Sequence, residues 1–215
     1  MKEDVLEQVV DDYLQTQGYF TTHNVRFNPR KDHPNYVSNK DSVPSDVDVV
    51  GLHPRQTGTD RVMVVSCKSW QTGFDATRIL AQLRGQVPNP KRAQELRFRE
   101  LWLPKWAQGF RQRIEELTGQ SEFTYCLAVT HVKGDTAAWS QDPTIRENLA
   151  GNPLRFLPLE TMWSQVLAAV TTTPASSEFG RLAQLLKAAG LTAPEPIALP
   201  SGPAPGSAAA LEDEA

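Results

Sequence analysis

Four side chains stand where an ordinary core strand would carry only apolar ones. Asp46 and Asp48 lie in the run SDVDVVGL, and Ser66 and Lys68 in the run VMVVSCKSW. Side chains on a strand alternate between its two faces. Asp46 and Asp48 should therefore share a face with Val50, and Ser66 should share one with Lys68, while Met63, Val65 and Cys67 point the other way. A polar, Gly-containing turn joins the two runs, so residues 45–71 are expected to form a hairpin. With the polar faces matched, carboxylates and an ammonium converge at one end of a sheet. Carboxylates are hard oxygen ligands for a divalent cation, and an ammonium stabilises negative charge that develops on a reacting group. A half-buried strand lysine also needs an opposing charge to offset its desolvation. The plainer alternative is surface carboxylates beside a lysine that snorkels from an edge hairpin.

The elements that must position these residues follow from periodicity. Val5, Leu6, Val9, Val10, Tyr13 and Leu14 recur at helical spacing, predicting an amphipathic helix over residues 2–17 that Gly18 ends. Residues 19–27 alternate as a first strand, and residues 29–44, rich in Asn, Asp, Ser and Pro, form a loop. After the hairpin come a helix over 76–86, a break at Pro88 and Pro90, a basic helix over 91–103, and a further helix over 105–118. Residues 123–132 (FTYCLAVTHV) are nearly continuously apolar, as in a strand buried on both sheet faces. A loop or short helix (135–153), a strand (155–159) and helices over 160–170 and 176–189 complete the chain. This order predicts an α/β fold: a mixed central sheet with helices on both faces. Residues 1–191 are expected to be one domain, with 84–119 as a basic helical insertion or crossover. The Pro/Ala-rich stretch 192–215 is expected to be a disordered tail.

Composition narrows the classes. Hydrophobic residues make up 40% of 215, which supports a globular chain. No apolar run reaches the roughly 18–20 residues of a membrane span, and the N-terminus lacks a signal-like apolar stretch. Cys67 and Cys126 lie in apolar runs, as buried free thiols of a cytosolic protein do. His23, His33, His53 and His131 are scattered without metal-ligand spacing. The net charge is −3, yet residues 84–113 hold eight basic side chains against Glu95 and Glu100. A local basic surface of this kind suits a phosphate backbone or an acidic partner; a solvated helical face is the ordinary alternative.

Together these residues resemble a known family. The N-terminal pattern Glu7, Val10, Tyr13, Leu14, Gly18, Tyr19, followed by SDVDVVGL, by VMVVSCKSW and by QLRG at 82–85, is similar to the PD-(D/E)XK nuclease superfamily, and within it to the restriction-endonuclease-like, Mrr-type group. The likeness covers residues 5–90, and the strand at 123–132 by order only. It implies an αβββαβ core and a Mg²⁺-dependent endodeoxyribonuclease, with Mn²⁺ as the alternative ion. Asp48 falls on the family's central metal-binding aspartate. Glu7 would bind the metal directly or through water, and the backbone carbonyl of Cys67 would be a further ligand. Lys68 would orient or help deprotonate the attacking water. DNA is the implied substrate, in restriction, repair or defence in the cytoplasm, as a homodimer or within a larger complex. Arg84, Lys91, Arg92, Arg97 and Arg99 would hold its phosphates, and Trp70 and Gln71 could touch it.

One residue departs from the family pattern. Ser66 stands where the second acid is usual. Three outcomes follow: Ser66 ligates weakly or through water with Asp46 or Glu7 supplying charge; the acid has moved, Asp75 being the nearest candidate; or the site is inactive and the protein binds nucleic acid or acts as an adaptor.

Overall fold

The computed structural model describes residues 4–191. The expected tail at 192–215 and the first three residues lie outside the described part. The chain is an α/β protein whose five-stranded mixed sheet is flanked by helices. Helix α1 (Val5–Thr16) leads into β1 (Phe20–Phe27), β2 (Ser45–Leu52) and β3 (Val62–Lys68). The crossover from β3 carries a two-residue strand β4 (Phe74–Asp75), α2 (Ala76–Leu83), α3 (Ala93–Arg97), α4 (Arg99–Trp102) and α5 (Pro104–Thr118). Then follow β5 (Thr124–Val129), β6 (Val132–Lys133), α6 (Ala137–Gln141), α7 (Pro143–Asn148), β7 (Leu154–Pro158), α8 (Leu159–Ala169) and α9 (Glu178–Ala188). The sheet order is β1-β2-β3-β5-β7. The first three strands are antiparallel, and β5 and β7 run parallel to β3.

Two cores sandwich the sheet. On one face, Leu6, Val9, Val10 and Leu14 of α1 meet Val49, Met63, Val65 and Cys126, with Met162 of α8. On the other, α2, α4 and α5 bring Ile79, Leu80, Phe98, Leu101, Trp106 and Phe110 against Val62, Val64, Tyr125 and Leu127. Every residue of β5 is buried, as its continuous apolar run requires when both faces are covered. The approach of α5 to the end of β1 needs a glycine. A Cβ on Gly109 would lie 1.8 Å from the carbonyl oxygen of Asn28. Gly18, at φ 90° beyond α1, takes the left-handed conformation expected where a helix ends.

Three sequence expectations require correction. The basic stretch at 91–103 is not one helix. Lys91 and Arg92 are left-handed (φ 54° and 55°), and Phe98 at φ −127° separates α3 from α4. The strand expected over 123–132 ends at Val129, and Val132–Lys133 pairs instead with Phe74–Asp75 in a separate small sheet. Strict alternation along β2 also fails. Val47 and Val50 lie in one core although they differ in parity, while Val49 lies in the other. The β1–β2 ladder pairs His23 with Val49 and Val25 with Val47 but skips Asn24 and Asp48. Asn24 is left-handed at φ 52°, and both strands change face there. Asp46, Asp48 and Val50 therefore do not form one stripe; Asp48 sits at the switch.

Candidate active site

The β2–β3 ladder runs from Leu52↔Val62 to Val49↔Val65 and stops. One step further the strands part, and the Asp48 carboxylate takes the hydrogen bond: Oδ2 accepts the Cys67 backbone N–H at 2.5 Å. This opening between neighbouring strands exposes a carboxylate from β2 beside the end of β3. Ser66 and Lys68 continue the face of Val62 and Val64, and Lys68 Nζ donates to Ser66 Oγ at 2.8 Å. Cys67 points to the α1 side, where Asp48, Glu7 and Asp4 act on its thiol. Burial first and those carboxylates second push that thiol up, against the Lys68 charge. The thiol is thus kept neutral and plays no part as a nucleophile.

Helix α1 is fixed to this point by its own cap. Asp4 Oδ1 accepts the Leu6 N–H at 2.9 Å, while its other oxygen accepts the hydroxyl of Ser69, the residue after Lys68. The helix therefore begins at the end of β3. Glu7, half-buried in the first turn, is brought to the α1 side of Cys67. A glutamate in a first turn is also favoured by the helix dipole.

The opposite side of the site holds a residue that motif spacing does not single out. Glu100, on the four-residue α4, is only 5% exposed. Its Oε1 accepts the Tyr125 hydroxyl at 2.5 Å. Burial raises the Glu100 carboxyl, opposed by the Lys68 charge and the Tyr125 hydrogen bond. Burial likewise raises Asp48, opposed by Lys68 and the Cys67 N–H. Ser66, 4% exposed, lies close enough to Asp48 and Tyr125 to lower both. Lys68 Nζ is 5.6 Å from the Phe98 ring centroid, a cation–π position. Asp48, Ser66, Lys68, Tyr125 and Glu100 thus form one electrostatically coupled group. Glu100 was hidden in the sequence because it sits 32 positions beyond Lys68 on an irregular segment. The one available signal was an acid among basic residues, within a run carrying Phe98, Leu101 and Trp102.

The remaining predicted residues divide. Asp46 is exposed and raises Asp48. Gln71 is exposed in the turn after β3. Asp75 caps α2, accepting the Arg78 N–H at 2.9 Å and pairing with its guanidinium at 3.5 Å. Asp75, the candidate named if the acid had moved, is thus engaged at the start of α2, and Glu100 lies across Tyr125 from Ser66. Arg84 is paired with buried Asp142 at 2.9 Å, tying α2 to α7. Arg92 pairs with Glu95. Arg97 covers the Trp70 ring at 5.2 Å, and Trp70 stacks on Phe74 at 5.5 Å. Arg99 covers Trp106 at 4.5 Å. Lys91 is exposed.

Among the described residues, no three His, Cys, Asp or Glu side chains form a group that could hold a metal ion. Mg²⁺ binds through one or two carboxylates and keeps several waters. Asp48 and Glu7 are such hard donors, and both act on Cys67. No helix among the described residues is long and apolar enough to cross a membrane. Comparison with known proteins gave no matching family model, no matching curated protein and no matching solved structure.

Proposed function

We propose that this protein is a metal-dependent endodeoxyribonuclease with a restriction-endonuclease-like core. The carrying observation is the opened end of β2 and β3, where Asp48 accepts the Cys67 N–H and Lys68 bonds Ser66. The order of one helix, three antiparallel strands and a parallel strand after a helical crossover also supports it. Asp48 and Glu7 would hold Mg²⁺ or Mn²⁺, with the Cys67 carbonyl as a further oxygen. The ion, when bound, supplies Lewis-acid polarisation of a phosphate oxygen and acidifies a water.

The chain's own groups do the rest. Lys68 orients the attacking water and offsets charge accumulating on the phosphate. Ser66 holds the Lys68 ammonium in place rather than contributing charge. Glu100, carried by the crossover on the other side of Tyr125, is the further acid of the site. A cytoplasmic role in restriction, repair or defence belongs to the same proposal.

The test is relaxation of supercoiled plasmid in Mg²⁺ and in Mn²⁺ by the wild type, Asp48→Ala and Lys68→Ala. Loss of nicking in both variants and in chelator is expected. Nicking that survives both substitutions would remove the assignment. A second reading, a catalytically silent DNA-binding protein on this fold, is favoured by the hydroxyl at Ser66. It predicts metal-independent DNA binding without nicking.

A further inference from the structure

A groove of about 740 Å³ lies between the loop at 28–44 and the α3–α5 crossover. Its lining carries five cations, Lys40, Lys91, Arg92, Arg99 and Lys105, against Asp41 and Glu95. Two of these pairs cancel. Lys105 and Asp41, both largely buried, meet at 2.6 Å, and Arg92 meets Glu95. Lys40, Lys91 and Arg99 have no carboxylate partner among the described residues, and His33 lies beside them. The groove is thus positive in a chain whose net charge is −3.

The groove is also pre-organised. Asp41 Oδ2 accepts the Val37 N–H at 2.7 Å as well as Lys105, and Lys105 Nζ reaches the Asn35 carbonyl at 3.0 Å. The loop wall is thereby fastened to the start of α5. On the other wall, the Arg99 guanidinium lies over Trp106, and its Nε donates to the Leu96 carbonyl at 3.0 Å. An arginine already held on a ring loses less freedom when it binds phosphate. Between the cations, the groove presents apolar side chains to solvent: Leu96 is 55% exposed and Val37 43%.

Both walls are carried by segments that adjoin the candidate site along the chain. Arg99 immediately precedes Glu100, and the loop ends at Ser45, where β2 begins its course to Asp48. A chain of phosphates with apolar bases matches the cations and the exposed Leu96 and Val37. We infer that the groove is the track along which a DNA strand, its phosphates on Lys40, Lys91 and Arg99, is led to Asp48 and Lys68. This rests on the nuclease reading above and adds to it the path and the residues that bind.

The test is anisotropy of a labelled single-stranded DNA oligonucleotide, titrated in chelator with the full chain carrying Lys68→Ala. Binding is then read without cleavage. Replacing Lys40, Lys91 and Arg99 together by Ala is expected to weaken binding at least about tenfold at low salt. The slope of log K against log salt should become shallower by about 2, from three lost phosphate contacts at about 0.7 each. Lys40→Glu with Lys91→Glu, which leaves Arg99 on Trp106, should act in the same direction. Arg111→Ala with Arg113→Ala removes charge outside the groove and should leave the slope unchanged. An unchanged slope in the groove variants, with the parent binding DNA normally, would overturn the track alone. Tighter binding of an acidic peptide than of the oligonucleotide would also overturn it. A groove effect together with wild-type nicking by Lys68→Ala would keep DNA in the groove and overturn Lys68 as the catalytic end of the track.

Discussion

Glu100 is the most deeply buried acid of the candidate site. A fully buried carboxylate is costly unless hydrogen-bonded and opposed by charge. Here the Tyr125 hydroxyl and the Lys68 ammonium meet those needs. Burial still raises its pKa, so the folded protein keeps this proton to higher pH than the unfolded chain. In that window the native state binds more protons, and stability falls as pH rises above the ordinary glutamate range, about pH 4.3. Glu100→Gln should remove this slope. Thermal unfolding from pH 4 to 8 should therefore show the variant gaining on the wild type as pH increases, while nicking is lost. A variant that instead loses ground with pH would refute the buried-acid account. Ser66 and Glu100 should also be coupled. Ser66→Asp places a third carboxylate beside Asp48 and Glu100 and should destabilise the fold. Glu100→Gln should relieve much of that, with a coupling energy of about 0.5–3 kcal/mol in a double-mutant cycle. Additive effects would show that the two positions do not share one charge. Ser66 and Lys68 were legible from strand period alone, because β3 alternates regularly. Glu100 was not, since no local pattern places an irregular crossover over a particular strand.

The elements place the site through two joints. One is the cap of α1, where Asp4 bonds both its own helix and Ser69. Asp4→Ala should cost about 0.5–2 kcal/mol as a lost N-cap, measurable by chemical denaturation, and should weaken nicking by loosening Glu7. An Asp4→Asn variant should retain most of the stability, because the amide oxygen still caps. The other joint is Gly109, whose hydrogen faces the Asn28 carbonyl. Gly109→Ala should destabilise by at least about 1–3 kcal/mol, the usual range for overpacking, despite the higher helix propensity of alanine. A stabilised Gly109→Ala variant would show that α5 does not press on β1 as described. Helix α1, the hairpin and β5 could be read from period and punctuation. The change of face at Asn24 and Asp48 could not, because a left-handed asparagine leaves no trace in hydropathy. The left-handed pair Lys91 and Arg92 escaped for the same reason, and with it the splitting of the basic stretch into α3 and α4.

At the scale of the whole molecule, one sheet separates two kinds of support. The α1 side presents acids, Glu7 and Asp4, to the end of β3. The crossover side presents Glu100, Phe98 and the basic groove. The mixed sheet and the helices on both faces were legible, since a buried strand after a helical crossover leaves few arrangements. Of the basic side chains, Arg84 pairs with Asp142 and Arg92 with Glu95, and Lys91, Arg92 and Arg99 line one groove. The central claim is that Asp48 and Lys68 cut a phosphodiester together. The most direct measurement is the single-turnover rate of DNA cleavage by Lys68→Ala in saturating Mg²⁺, with unfolding curves showing that the variant folds. A drop of about 10²-fold or more is predicted, as for removal of a group acting in proton transfer or charge stabilisation. A folded variant that cleaves within about threefold of the wild type, far short of that range, would contradict the claim.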